Sequence, residues 1–397
     1  MLALLLVAAL AQDPESILLQ QASGTSVAPA GESRPMTMFS AGNWMVMLHG
    51  IAFLNDTHQN GFRGRNKNFS TNWGMAMAER PLGDGAIMLR AMLSAEPATV
   101  GGRKYPELFQ TGETAFGQQI IDGQHPHDFF MELAAEYARP IGSATGFIYV
   151  APVGEPAIGP VAFPHRQSAM EIPQAVLSHH FQDSTHIAYN VVTAGVAWSH
   201  MQIEGSAFHG AEPDENRWNI DGGRIDSAAG RVTLKVTPNL LGQASFAYLT
   251  KPEKLEPGDA KRTTASISYS RGGLSTSLIW GRAYKESHDQ TLESYLAEST
   301  LHLGRSWIAA RFENAQKDEL FPHIHRSPVI TRPTLPAPTF RVTAATIGYT
   351  WDFLVRGSAR YGIGANYTAY RFPQILKVFY GEKPRAQIIY LRTRWGV

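Results

Sequence analysis

The residues best equipped for chemistry in this chain are its histidines, and they are unevenly placed: ten of the fourteen lie between His49 and His209. Gln124-His125-Pro126-His127-Asp128 holds two imidazoles and a carboxylate around a stiff proline. His165 follows, then His179, His180, Asp183 and His186 in quick succession. Imidazole and carboxylate together suit zinc, copper or iron. The candidate ligands of a divalent or copper ion are therefore His125, His127, Asp128, His165, His179, His180, Asp183 and His186. Their spacing matches no tight metal motif and requires no cofactor. The methionines are skewed too, all twelve falling at or before Met201. On the inner faces expected below, Met45, Met47, Met88 and Met92 share a register with His49. Thioethers beside imidazole could hold or pass Cu(I), although adaptable packing is their commoner use. Ser184 near His186 and Asp183, and Ser178 ahead of His179, raise a Ser–His hydrolase at a membrane rim. A triad is defined by spatial geometry, the chain has no G-x-S-x-G elbow, and the reading is of a protein that is not an enzyme.

The elements that must position these residues read as strands. The chain has 397 residues, 17% of them charged, against roughly 25% in soluble domains. Its net charge of +1 argues against a nucleic-acid partner. With no cysteine, thiol nucleophiles, disulfides and a lipoprotein anchor are excluded. Residues 2–10 form an apolar run closed by an A-x-A pattern before Gln12, which reads as a signal peptide over 1–11. Residues 12–40 are polar and are expected to be a flexible N-terminal segment. Beyond the first dozen residues no apolar run approaches the ~18–20 residues of a membrane helix. A membrane-spanning form of this chain must be a barrel.

From residue 41 onward, short segments of alternating character recur. Strands are expected over 44–54, 70–79, 86–95, 127–138, 145–151, 184–198, 202–210, 224–236, 241–250, 262–271, 275–284, 292–303, 307–315, 340–351, 358–370 and 385–397. A strand sends alternate side chains to opposite faces. In the fifteenth, Tyr361, Ile363, Ala365 and Tyr367 share one face, and Arg360, Gly362, Gly364 and Asn366 the other. In the last, Ile389, Leu391, Thr393 and Trp395 oppose Tyr390, Arg392 and Arg394. The connections alternate long and short, starting long. A soluble sandwich has no reason to alternate its loops in this way, whereas outer-membrane barrels combine even strand numbers with short periplasmic turns and long external loops.

The final strand resembles the closing strand of outer-membrane β-barrels, with Trp395 as its aromatic. The segments Thr111–Thr114 (TGET), Gln124–Asp128 (QHPHD), Gly154–Ala157 (GEPA) and His179–Ile187 (HHFQDSTHI) are similar to an uncharacterised family of bacterial outer-membrane proteins, and the likeness runs from about Asn43 to the end. It implies a barrel and little about activity.

The expectation is an all-β fold, a single closed antiparallel transmembrane barrel of about sixteen strands over 41–397, in the outer membrane of a Gram-negative bacterium. Such a barrel is wide enough for an aqueous channel. The expected function is porin-like passage of small polar solutes, with Arg90, Glu132, Glu136, Glu204, Arg360, Arg392 and Arg394 lining the pore and an infolded long loop setting its bore. Trp351, Tyr349, Tyr361, Tyr367 and Trp395 would belong to interfacial girdles. The alternatives are a metal-handling barrel using the His/Asp loops and a plugged structural barrel. Expected partners are outer-membrane lipid, barrel-assembly machinery reading the C-terminal strand, and further copies of the chain, since porins often form homo-oligomers.

Overall fold

The computed structural model describes residues 12–115, 117–183, 187–254, 258–286, 289–321 and 338–396. Sixteen long strands form one closed antiparallel sheet, each bonded to its neighbours in chain order. They are β1 (Trp44–Gln59), β2 (Lys67–Leu82), β3 (Gly85–Leu93), β4 (Phe130–Ile141), β5 (Ala144–Gly154), β6 (Ala188–Ala197), β7 (Met201–His209) and β8 (Ser227–Thr237). The second half comprises β9 (Leu240–Leu249), β10 (Ala260–Arg271), β11 (Leu274–Lys285), β12 (Gln290–Leu303), β13 (Ser306–Lys317), β14 (Phe340–Arg356), β15 (Ala359–Arg371) and β16 (Arg385–Trp395). All sixteen expected strands are present. The ring closes where β16 pairs with the second half of β1, from Ala386 opposite Gln59 to Trp395 opposite Gly50. A further short strand, Thr37–Ala41, pairs with the first half of β1 and continues the line of β16.

Closure is what the solvent demands. An unpaired backbone group in hydrocarbon costs several kcal/mol, so an open edge is not tolerated there. The outer face carries the apolar register all the way round: Leu54, Leu89, Ile148, Ile203, Leu234, Phe246, Ile267, Leu278, Ile308, Ile347, Ile363 and Leu391 are all exposed. Ile363 and Leu391 are 46% and 49% exposed, so no second sheet or helix among the described residues covers them and the greasy face is free to meet lipid. Tyr349 and Trp351 also point outward, near the short turn that joins β12 to β13. Gly272 and Gly273 make the two-residue turn between β10 and β11, with φ of +60° and +86°, the left-handed values that a tight hairpin turn needs. On the outer face the Trp395 indole lies over Gly50, where an added Cβ would stand 2.1 Å from the ring. Glycine there is a steric requirement of barrel closure.

The N-terminal segment departs from expectation. Residues 12–40 are not a flexible tail. Asp13 caps a helix over Pro14–Gln20, accepting a 3.0 Å bond from the Ser16 amide, with Pro14 at its first turn. The strands Gln21–Ser23 and Ser26–Val27 then form a miniature hairpin, and Ile17, Leu18, Ser23, Thr25, Ser26 and Val27 are all buried. The segment is polar, which suggested solvation. The inside of this barrel is polar as well, so hydrogen bonds to the wall replace those to water. The proposed signal peptide, 1–11, lies outside the described residues.

Candidate functional site

Among the described residues, two inserts fill the lumen, the N-terminal segment and the long connection 155–187, the latter almost wholly buried, and the connection between β3 and β4 packs on it, with Gln110 donating to the Val176 carbonyl at 3.0 Å. The wall grips both. Arg231 on β8 donates from Nε to Glu204 at 2.8 Å, from Nη1 to Ser26 Oγ at 2.7 Å and to the Gly159 carbonyl at 3.1 Å, and from Nη2 to Thr25 Oγ1 at 3.0 Å. One guanidinium thus joins the wall, the N-terminal hairpin and the loop. Glu155, at the start of the loop, accepts from Ser23 and Ser26 at 2.6 Å each and faces Arg231 at 3.6 Å. Burial pushes the Glu155 carboxyl up to about 8, against the pull of Arg231 and the two serines.

The same logic repeats around the ring. Arg90 pairs with Glu136 at 2.8 Å and stands 3.7 Å from Glu132, while bonding Gln21 and the Gly24 carbonyl of the N-terminal segment. Arg166 of the loop bonds Glu298 at 2.5 Å and Asp183 at 3.0 Å, and Arg311 reaches the other oxygen of Glu298 at 3.2 Å. Arg392 pairs with Glu171 of the loop and with Asp352. Arg394 donates to Gln167 at 3.0 Å.

The residues expected to line a pore are therefore on the correct face but not beside open water. Arg90, Glu132, Glu136, Glu204, Arg392 and Arg394 are all buried beneath the inserts. Arg360, partly exposed, bonds Asp352 at 3.2 Å. Cavities of about 20, 40 and 40 Å³ remain between inserts and wall, each with room for one to about three waters. Sequence reasoning missed the insert side of these clamps: Ser23, Ser26, Glu155, Arg166 and Glu171. The available signal was a connection too long to be structureless in a compact fold, carrying charges opposite to those of the inner register.

The candidate histidines His125, His127, His165, His179 and His180 are all buried. His127 Nδ1 lies 3.0 Å from Glu96 Oε2, and His179 Nδ1 lies 2.7 Å from Asp183 Oδ1. His125 Nδ1 is 2.7 Å from the Pro126 carbonyl, and His180 Nδ1 is 3.8 Å from Glu212. Asp128 accepts from Tyr189 at 2.6 Å and from Arg217 at 3.1 Å; burial raises its carboxyl above the usual range, with Arg217 opposing. His165 Nε2 lies 3.0 Å from the Met92 sulfur. Ser184 and His186 lie outside the described residues, and Ser178 is wholly buried. Among the described residues, no three His, Asp or Glu side chains converge as a metal site.

A closed sixteen-strand barrel with an apolar outer belt, a polar inner register and an infolded loop is a transmembrane β-barrel of the porin type. The fold is shared with the anion-selective porin from Comamonas acidovorans (TM-score 0.54, 12% identity, 89% of this chain and 100% of that one). It is shared equally with Salmonella typhi OmpF (0.54, 7%, 90% and 100%) and with the outer membrane channel DcaP of Acinetobacter baumannii (0.53, 10%, 90% and 99%). No protein-family model and no curated protein sequence matches the chain.

Proposed function

We propose that this protein is a porin-like channel of the Gram-negative outer membrane for small polar solutes, held closed by its own N-terminal segment and infolded loop. The observation that carries the reading is the chemistry of the wall–insert contact. At Arg90, Arg231, Arg392 and Arg394 the inserts are held by charge-assisted hydrogen bonds, which water can replace when an insert moves. Apolar contacts cross the boundary too, Ile17 and Leu18 against the wall methionines and Phe163, Val176 and Phe181 against Ile279, Leu296 and Leu292, but at these arginines the bond is one that water can make in its place. The C-terminal strand would be the segment read by assembly machinery, and the outer belt the surface that meets lipid and further copies of the chain.

Planar-bilayer conductance tests this. The full chain is expected to show small, infrequent openings, and a variant lacking residues 12–35 a steady conductance several-fold larger. If both are silent while folded, the barrel is a plugged structural protein.

A further inference from the structure

The N-terminal third of the wall carries a cluster that the clamps do not use. His49 on β1 is the cross-strand partner of Met75 on β2, and Met75 is that of Met92 on β3. Facing neighbours in adjacent strands lie about 4.5–5.5 Å apart, so imidazole, thioether and thioether form one row on the inner face. The loop completes the arrangement from the opposite side. His165 Nε2 stands 3.0 Å from the Met92 sulfur, and the His165 and His49 ring centres are 6.0 Å apart with planes at 79°. His49 Nδ1 is a buried ring nitrogen with no hydrogen-bond partner. Beside the row lies one of the 40 Å³ cavities, lined by His49, His165, Met36, Met77 and Met170.

We propose that His49, Met75, Met92 and His165 form a binding site for a soft monovalent metal ion, Cu(I) or Ag(I). The dimensions fit. Metal–nitrogen bonds of about 2.0 Å, extended by the ~1.1 Å from nitrogen to ring centre, place two imidazoles on one ion with centres about 5 Å apart at a tetrahedral angle and about 6 Å apart at a wide, near-linear one; the 6.0 Å found here is the wide-angle case. The donor set selects the ion: thioethers suit Cu(I) and are poor ligands for hard divalent cations. The surrounding charge selects it again. All four ligands are neutral, and Arg34 and Arg394 line the same cavity. Glu32 and Glu171 interact with these arginines; the repulsion that an ion still feels from Arg34 and Arg394 is roughly halved for a monovalent one. An ion so bound would tie His165 of the loop to three residues of the wall.

Trp73 supplies the reporter, its ring centre 4.5 Å from that of His165 and 5.3 Å from that of His49. The full chain, purified in detergent, would be titrated with Ag(I), reading tryptophan fluorescence and bound silver by mass spectrometry. Expected are one silver per chain retained against a large excess of Zn(II), quenching that is lost in Trp73→Phe, and an affinity roughly 100-fold weaker in Met75→Leu/Met92→Leu. That variant keeps the exposed Met38 and Met45, so adventitious surface thioethers would not account for the difference. Met75→Leu alone serves if the double variant does not fold, and heat-modifiable migration checks folding. Equal silver binding by the wild type and the folded leucine variant, or displacement of silver by equimolar Zn(II), overturns the proposal.

Discussion

The two sides of the lumen hold the inserts by different physics. From β1 to β4 the wall presents Met47, Met75, Met77, Met88, Met92 and Met131 with Phe53 and Trp73, and Ile17 and Leu18 of the N-terminal helix pack in the same cluster. From β8 onward the wall has no methionine and presents arginines, glutamates and small hydroxyl residues. Hydroxyl pairs such as Ser245 with Thr264 at 2.7 Å and Thr346 with Thr368 at 2.9 Å bridge its strands. Apart from the Arg90–Glu136 pair, which grips Gln21 and Gly24 from this side, the soft side is non-directional and tolerates small shifts of an insert. The ionic side holds only in the correct geometry, and fails abruptly when one partner is lost. The difference assigns an anchored edge and a releasable edge to the same plug.

The largest expected effect lies on the ionic side. Arg231→Met keeps an unbranched, buried chain of similar length but leaves Glu204 and Glu155 without their cation. Breaking a buried pair in this way costs about 3–5 kcal/mol. Part of that cost is relieved if the inserts leave and water reaches the carboxylates. The expected outcome is a frequently open channel in bilayer recordings, with a lowered urea midpoint for the folded barrel. A closed, equally stable Arg231→Met protein would show that the arginine is not the clamp.

A smaller, graded effect follows from Glu155. Its carboxyl titrates at about 8 with the inserts in place, and at about 4.3 once exposed to water. Between those values the closed state binds the proton and the open state does not. Closure is therefore most favoured below the lower value and weakens as pH rises through the upper one. Open probability is expected to climb between about pH 5 and pH 9, and Glu155→Gln to flatten that climb. Arg231, Ser23 and Ser26 contact this group directly, so the slope should be read with Arg231 intact.

The same contrast explains how much could be read from the sequence. The strands were legible because lipid and lumen impose opposite demands on alternate residues, so Ile363 and Arg392 could each be assigned a face. The inner position of Arg90, Glu136, Glu204 and Arg394 was legible for the same reason. What filled the lumen was not. Polar composition over 12–40 signals solvation only where water is the alternative, and here the alternative partners were Arg90 and Arg231, far along the chain. The His/Asp clusters were legible only in part: His179 and Asp183, neighbours in sequence, do meet, whereas His127 meets Glu96, some thirty residues away. The His49–Met92–His165 grouping needed the register of three strands together with the path of the loop, and only its wall half was visible as a shared register.

The smallest expected effect tests whether the soft side is indeed forgiving. Met47 is as deeply buried as Arg231, so burial alone would predict comparable sensitivity. Met47→Leu conserves volume, removes no hydrogen bond and leaves no charge behind; swaps of this kind usually cost less than about 1.5 kcal/mol. Met47 lies outside the proposed metal ligands, so silver binding should be unchanged. If the leucine protein instead opened as readily as Arg231→Met, the thioether wall would be holding the plug by a specific fit. The division into an anchored and a releasable edge would then fail, because both sides of the lumen would be equally intolerant of a change that leaves charge and volume alone.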